Sequence, residues 1–107
     1  MAQEIRVIRM TRHAQVERCD RLAACLTDLG LGEYVLELTS RGRITRLTST
    51  GLCLIFAPDG ETLITGYMCS VKRVVAMYSS MGYKRVPQSI FNTVMGNNKK
   101  YPYLNEL

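Results

Sequence analysis

The chain has one histidine, His13. Any imidazole-based proton transfer would have to use it. Glu17 stands four residues on and Arg21 four further, so on a helix the three share one polar face. Such a face offers a proton acceptor or donor and a cation for a phosphate. The same spacing also describes a solvated helix face on which Glu17 and Arg21 form an ordinary ion pair. Pairs of that kind are common and contribute only about 0.3–0.5 kcal/mol. From spacing alone the solvated face is the favoured reading.

Other chemistry finds less support. The four cysteines, Cys19, Cys25, Cys53 and Cys69, form no CxxC pair and no zinc-like spacing with the histidine. Each lies in or beside an apolar stretch, which is the pattern of buried, reduced thiols acting as small hydrophobes. Gly30-Leu31-Gly32 is too short for a nucleotide-binding fingerprint. There are no paired carboxylates, no phosphate-binding loop and no metal-ligand set. Neither a metal nor a cofactor is expected.

The elements that must position these residues can be read from periodicity. Ile5 to Met10 half-alternates and suits a short first strand. Val16, Cys19, Leu22, Ala23, Leu26 and Leu29 recur at helical spacing, which predicts a helix from about Thr11, as cap, to Leu29, stopped by Gly30. Glu33 to Leu38 fits a short helix or a strand. Arg41-Gly42 marks a turn, and Arg43 to Thr48 is β-prone. Gly51 to Ala57 has a buried-strand pattern. Asp59-Gly60 is a hairpin signal, and Glu61 to Met68 returns as the partner strand.

Beyond the hairpin, Val71, Val74, Val75 and Tyr78 share a helical face that ends at Gly82. Pro87 suits the first turn of a further short helix carrying Ile90, Phe91 and Val94, with Gly96 as its stop. Residues 97–107 then read as a mobile or docked tail. Strands and helices are grouped rather than alternating, so the expected fold is α+β. An N-terminal helix packs on a small antiparallel sheet with a central hairpin, followed by C-terminal helices. The 107 residues make one domain. No apolar run approaches the roughly 20 residues of a membrane span, and no signal-peptide core opens the chain. A cytoplasmic protein without a membrane partner is expected.

The net charge of +5 is unevenly spread. Residues 1–61 hold eight Lys/Arg and eight Asp/Glu. Residues 62–107 hold Lys72, Arg73, Lys84, Arg85, Lys99 and Lys100 against one acid, Glu106. Such a field attracts RNA, other nucleic acids or an acidic protein, and it also serves plain solubility. Tyr101 and Tyr103, beside Lys99 and Lys100, suit stacking on single-stranded bases or anchoring of a tail.

Two segments carry a family resemblance. Thr11-Arg12-His13-Ala14, with Arg21 eight residues after the histidine, looks like the opening helix of small phage- and toxin-associated proteins. Leu63-Ile64-Thr65-Gly66-Tyr67, after the Asp59-Gly60 turn, looks like their Ile-Thr-x-Tyr strand. These proteins form the barnase–EndoU–RelE-like RNase fold group, and the similarity covers about residues 8–68. It implies metal-independent RNA cleavage by attack of the 2′-hydroxyl on the adjacent phosphorus. His13 would be the acid or base. Arg21, with Arg18, would contact the scissile phosphate, and Thr65 would donate from the sheet. Arg43 and Arg46 would extend the phosphate track. Two departures stand out. Glu17 replaces the usual arginine, and two helices that the family does not place follow Tyr67.

Three functions therefore compete. Foremost is a small basic binding protein of phage or mobile-element type, acting on nucleic acid or an acidic host protein through Arg18, Arg43, Arg46 and the six C-terminal bases. The alternatives are a toxin-like endoribonuclease using His13, Arg21 and Thr65, and an interaction or dimerisation module with an exposed sheet edge. The first is ahead because the charge asymmetry is the stronger signal and Glu17 interrupts the nuclease motif.

Overall fold

The computed structural model describes residues 9–10 and 25–102. The fold is α+β. Residues 25–29 are helical (α1). Strands β2 (Tyr34–Ser40), β3 (Arg43–Thr48), β4 (Leu52–Phe56) and β5 (Thr62–Met68) follow, and then helices α2 (Val71–Ser80) and α3 (Gln88–Lys100). β2 to β5 form an antiparallel meander. A two-residue strand β1 (Arg9–Met10) adds to β5 in parallel, so the sheet order is β1-β5-β4-β3-β2.

Local chemistry sets the hairpins. Asp59 Oδ1 accepts the backbone N–H groups of Glu61 (2.8 Å) and Thr62 (2.9 Å), and Thr62 Oγ1 donates to Asp59 Oδ2 at 2.8 Å. The side chain thus satisfies the tip that Gly60 (φ 72°) turns. At Arg41-Gly42, both residues have positive φ, 52° and 73°. Successive positive φ values match the right-handed strand twist of a two-residue hairpin. The ambiguous Glu33–Leu38 segment is the edge strand β2, with a register irregularity between Tyr34 and Leu36.

Alternation along the strands gives the sheet two apolar faces. On one face Leu36, Leu47 and Cys53 meet Val74, Met77 and Tyr78 of α2 and Ile90 and Val94 of α3. On the other, Leu54, Phe56 and Leu63 pack with Leu26 and Leu31, while Cys25 joins Leu52 and Met68. Three cysteines are described, Cys25, Cys53 and Cys69; all are free and buried, as their apolar setting predicts.

The β3–β4 turn, residues 49–51, ties the layers together. Ser49 N–H donates to Glu33 O (2.7 Å), and Ser49 Oγ accepts from Glu33 N–H (3.0 Å). Thr50 Oγ1 donates to Gly30 O at 2.7 Å, and Cys69 N–H donates to Gly51 O at 2.8 Å. Asn97 Nδ2 of α3 donates to Thr50 O at 2.7 Å, and Asn98 Nδ2 donates to Cys69 O at 3.0 Å. Cys69 directly precedes Ser70, the N-cap of α2. The end of α3 therefore lies beside the start of α2, and the two helices form an antiparallel hairpin.

Three sequence expectations are corrected at the C-terminal end. Gly96 does not stop the last helix, which runs on to Lys100. The asparagine bonds just described hold its final turn against the sheet, and this outweighs the modest helix cost of one glycine. Pro87 is the N-cap of α3 rather than part of its first turn. The expected tail is shorter, because residues 97–100 are helical and Tyr101 packs near Cys25, Leu52 and Met68. Tyr101 is thus an anchor rather than a free stacking platform. Residues 103–107, with Tyr103, lie outside the described residues, as do the predicted helix before residue 25 and most of the first strand. Among the described residues no helix is long and apolar enough to cross a membrane.

Candidate functional site

The C-terminal helical hairpin is built on a charge pattern that helix stability does not explain. Ser70 caps α2, its hydroxyl accepting from Arg73 N–H at 3.0 Å. The first turn of α2 holds no acid; it holds Lys72 and Arg73 instead. Cations at a helix N-terminus oppose the dipole, at a cost of typically 0.3–1 kcal/mol each. Lys99 and Lys100 sit in the last turn of α3, where the dipole favours them. Antiparallel packing brings these four bases to one end of the hairpin. Lys84 and Arg85 occupy the 81–87 connection at the other end, about 18 Å away along α3. All six are exposed, residues 71–102 contain no Asp or Glu, and none of the six pairs with a described carboxylate. The described acids lie on α1, on β2 and its lead-in, and at the Asp59 hairpin.

Besides a groove of about 430 Å³ lined by Asp28, Asn97 and Lys100 among others, two grooves open on the hairpin. The first, about 370 Å³, lies between the ends of α2 and α3 and is lined by Val75, Tyr83, Lys84, Arg85, Gln88 and Phe91 among others. The second, about 470 Å³, runs between α2 and the β2–β3 strands, with Arg73 facing Leu38, Ser40, Thr45, Met77 and Ser80. The Arg73 guanidinium sits 5.8 Å from the centre of the Tyr67 ring. Among the described residues the buried Thr65 Oγ1 finds no hydrogen-bond partner, and the buried Tyr67 Oη has the Arg73 guanidinium and the Cys53 thiol as its polar neighbours. Burial, followed by the neighbouring Cys53 thiol, pushes the Tyr67 phenol up to about 12 from 10.0, against the opposing pull of Arg73. Beside it the Cys53 thiol is held down by its Cys69 neighbour, whose own thiol is pushed up, while the hydrogen bonds they donate run to Met77 Sδ (3.7 Å) and Ser70 O (3.5 Å).

The residues singled out from sequence fall into three groups. His13, Arg18 and Arg21 lie outside the described residues. Thr65 is on β5, paired with Ile55 and two residues before Tyr67, so its side chain is on the α2–α3 face of the sheet. The described turn of α1 packs on the opposite face. Arg43 is exposed at the end of β3, opposite Ser40. Arg46, the other candidate for the phosphate track, is engaged within the fold. Its Nε donates to Glu37 Oε1 at 2.7 Å and a terminal nitrogen to Gly60 O at 2.8 Å. Its guanidinium lies 4.7 Å from the Phe56 ring centre and 5.3 Å from that of Tyr34. This arginine fastens the hairpin tip to the sheet.

Sequence reasoning missed the groove around Tyr83 and Phe91. A signal was present in Tyr83-Lys84-Arg85, an aromatic followed by two bases in a connection between helices. Among the described residues no cluster of three or more His, Cys, Asp or Glu side chains is placed to hold a metal ion. No family model, no curated protein and no solved structure matches the chain.

Proposed function

We propose that the protein binds nucleic acid through the outer surface of the α2–α3 hairpin. The observation that carries this reading is the acid-free hairpin with all six bases exposed. Two of them, Lys72 and Arg73, stand where they oppose the dipole of their own helix. A cost of that kind is offset when a polyanion is the ligand, because each neutralised phosphate releases a condensed counterion. The polar side chains among the bases, Gln88, Asn92 and Ser79, suit phosphate and sugar contacts.

The test is retention of a labelled RNA or DNA oligonucleotide by the full chain at low salt. Replacing Lys72, Lys99 and Lys100 together by Ala is expected to lower affinity at least ten-fold without unfolding the protein, since all three are exposed. Equal retention by this variant would refute the reading. Preferential capture of an acidic protein over nucleic acid would transfer the surface to a protein partner.

A second reading, the metal-independent endoribonuclease, is favoured by one observation: Thr65 Oγ1 is a buried hydroxyl with no hydrogen-bond partner. Against it, Glu17 interrupts the motif, and of the three residues it needs only Thr65, on the α2–α3 face of the sheet, is among the described residues. Incubating cellular RNA with wild type and His13→Ala in EDTA decides this reading. Cleavage by the wild type alone, leaving cyclic-phosphate ends, would establish it, and no cleavage at high protein concentration would remove it.

A further inference from the structure

We infer that the groove between α2 and α3 is a stacking subsite for a base of single-stranded nucleic acid, with Tyr83 as the platform. The inference rests on the nucleic-acid reading above and adds the form of the ligand. It begins with how α2 ends. Gly82 has φ 88°, Gly82 N–H donates to Ser79 O at 3.0 Å, and Tyr83 N–H donates to Tyr78 O at 3.0 Å. This pair of bonds is the Schellman arrangement, in which a left-handed residue turns the chain and the next residue packs back on the helix. Here the residue that packs back is Tyr83. Its ring meets Tyr78 edge to face, with centroids 5.5 Å apart and planes at 71°. Tyr78 is itself buried in the core.

Tyr83 is therefore fixed in position by its backbone and by a core residue, yet it is 56% exposed. Fixing an aromatic side chain while leaving more than half of it exposed gives the fold only part of the hydrophobic gain of burial. It does prepare a flat apolar surface whose ordering is complete before a ligand arrives. Phe91 of α3 and the exposed Val75 of α2 border the same groove. Its volume of about 370 Å³ is at the small end of ligand pockets, which run roughly 300–1,000 Å³.

Charge complementarity names the occupant. Lys84 and Arg85 follow Tyr83 directly and line the groove, and among the described residues no carboxylate does. An aromatic face flanked by two cations meets a base with its adjoining phosphates. Gln88 lines the groove too, and since its Nε2 donates to Asn92 Oδ1 at 2.8 Å, its Oε1 is the atom left to accept from a base edge. In a duplex the base faces are already stacked, so the platform selects unpaired strands.

The experiment uses the full chain and fluorescence anisotropy of labelled 12-nucleotide probes: a single strand, the same strand as duplex, and an abasic strand that keeps its phosphates. The expected order is single strand tightest, with duplex and abasic probes about ten-fold or more weaker, the range that one stacked aromatic gives. Tyr83→Ala is expected to weaken the single strand by a similar factor, and Tyr83→Phe to retain it. The chain has no tryptophan, so tyrosine emission reports the contact directly. Its quenching by the single strand should diminish in Tyr83→Phe although affinity is kept. Equal affinity for single and abasic strands would overturn the subsite while leaving phosphate binding in place. Absence of binding to any probe would overturn both readings.

Discussion

Thr65 and Tyr67 stand next but one on β5, and Thr65 carries a buried hydroxyl with no hydrogen-bond partner among the described residues. A buried polar group left unsatisfied costs about 1–3 kcal/mol. Thr65→Val is therefore expected to stabilise the protein by about 1 kcal/mol at neutral pH, read from urea unfolding. Tyr67 adds a pH dependence. Its folded pKa, about 12, lies above the ordinary 10.0, so between these values the folded state holds a proton that the unfolded state has lost. The associated stability is complete below pH 10 and is lost as the pH rises towards 12. Wild type should lose more stability than Tyr67→Phe over that window. Parallel losses would show that the phenol is not shielded. Arg46 makes a complementary case. With its bonds to Glu37 and Gly60 and two aromatic faces beneath it, Arg46→Ala is expected to cost roughly 2 kcal/mol of stability. Oligonucleotide affinity should stay unchanged, whereas a free phosphate contact would give the reverse.

At the scale of elements, the docking of α3 is the long-range joint of the fold. Asn98 Nδ2 serves Cys69 O and Val94 O (2.7 Å), and Asn97 serves Thr50 O. Asn98→Ala is expected to destabilise by about 1–2 kcal/mol, because it strands a part-buried carbonyl. Gly51 is the tighter constraint. Its φ is 91°, and an added Cβ would meet Asn97 Nδ2 at 2.5 Å. Gly51→Ala should cost about 2 kcal/mol or more, from backbone strain and the displaced asparagine. The same joint explains what the sequence did and did not disclose. The Asp59-Gly60 hairpin was legible because the Asp59 side-chain bonds that shape its tip lie within three residues. The extent of α3 was not, because Gly96 reads locally as a stop, while the bonds that carry the helix past it reach residues 29 and 47 positions away. β2 was ambiguous because its irregularity at Val35 breaks the alternation that marks a strand. Of the candidate site, the six bases were legible as composition. Their grouping at two ends of a hairpin, and the groove beside Tyr83, depend on how α2 and α3 pack.

Across the described residues, charge divides by layer. Acids gather on the α1 side, β2 and the Asp59 hairpin, and the helical hairpin carries bases alone. The field of that layer is directional, and its natural ligand is a phosphate backbone lying across the hairpin from one basic end to the other. If about four of the six bases contact phosphates, log K for a single strand should fall with log salt with a slope of about −3. The most direct test of this account is the anisotropy of a labelled single-stranded oligonucleotide titrated with the protein from 50 to 300 mM KCl, in wild type and in the Lys72, Lys99 and Lys100 triple-alanine variant. The account predicts steep salt dependence in wild type and a slope shallower by about 2 in the variant. A wild-type slope near zero, or identical slopes for the two proteins, would contradict it.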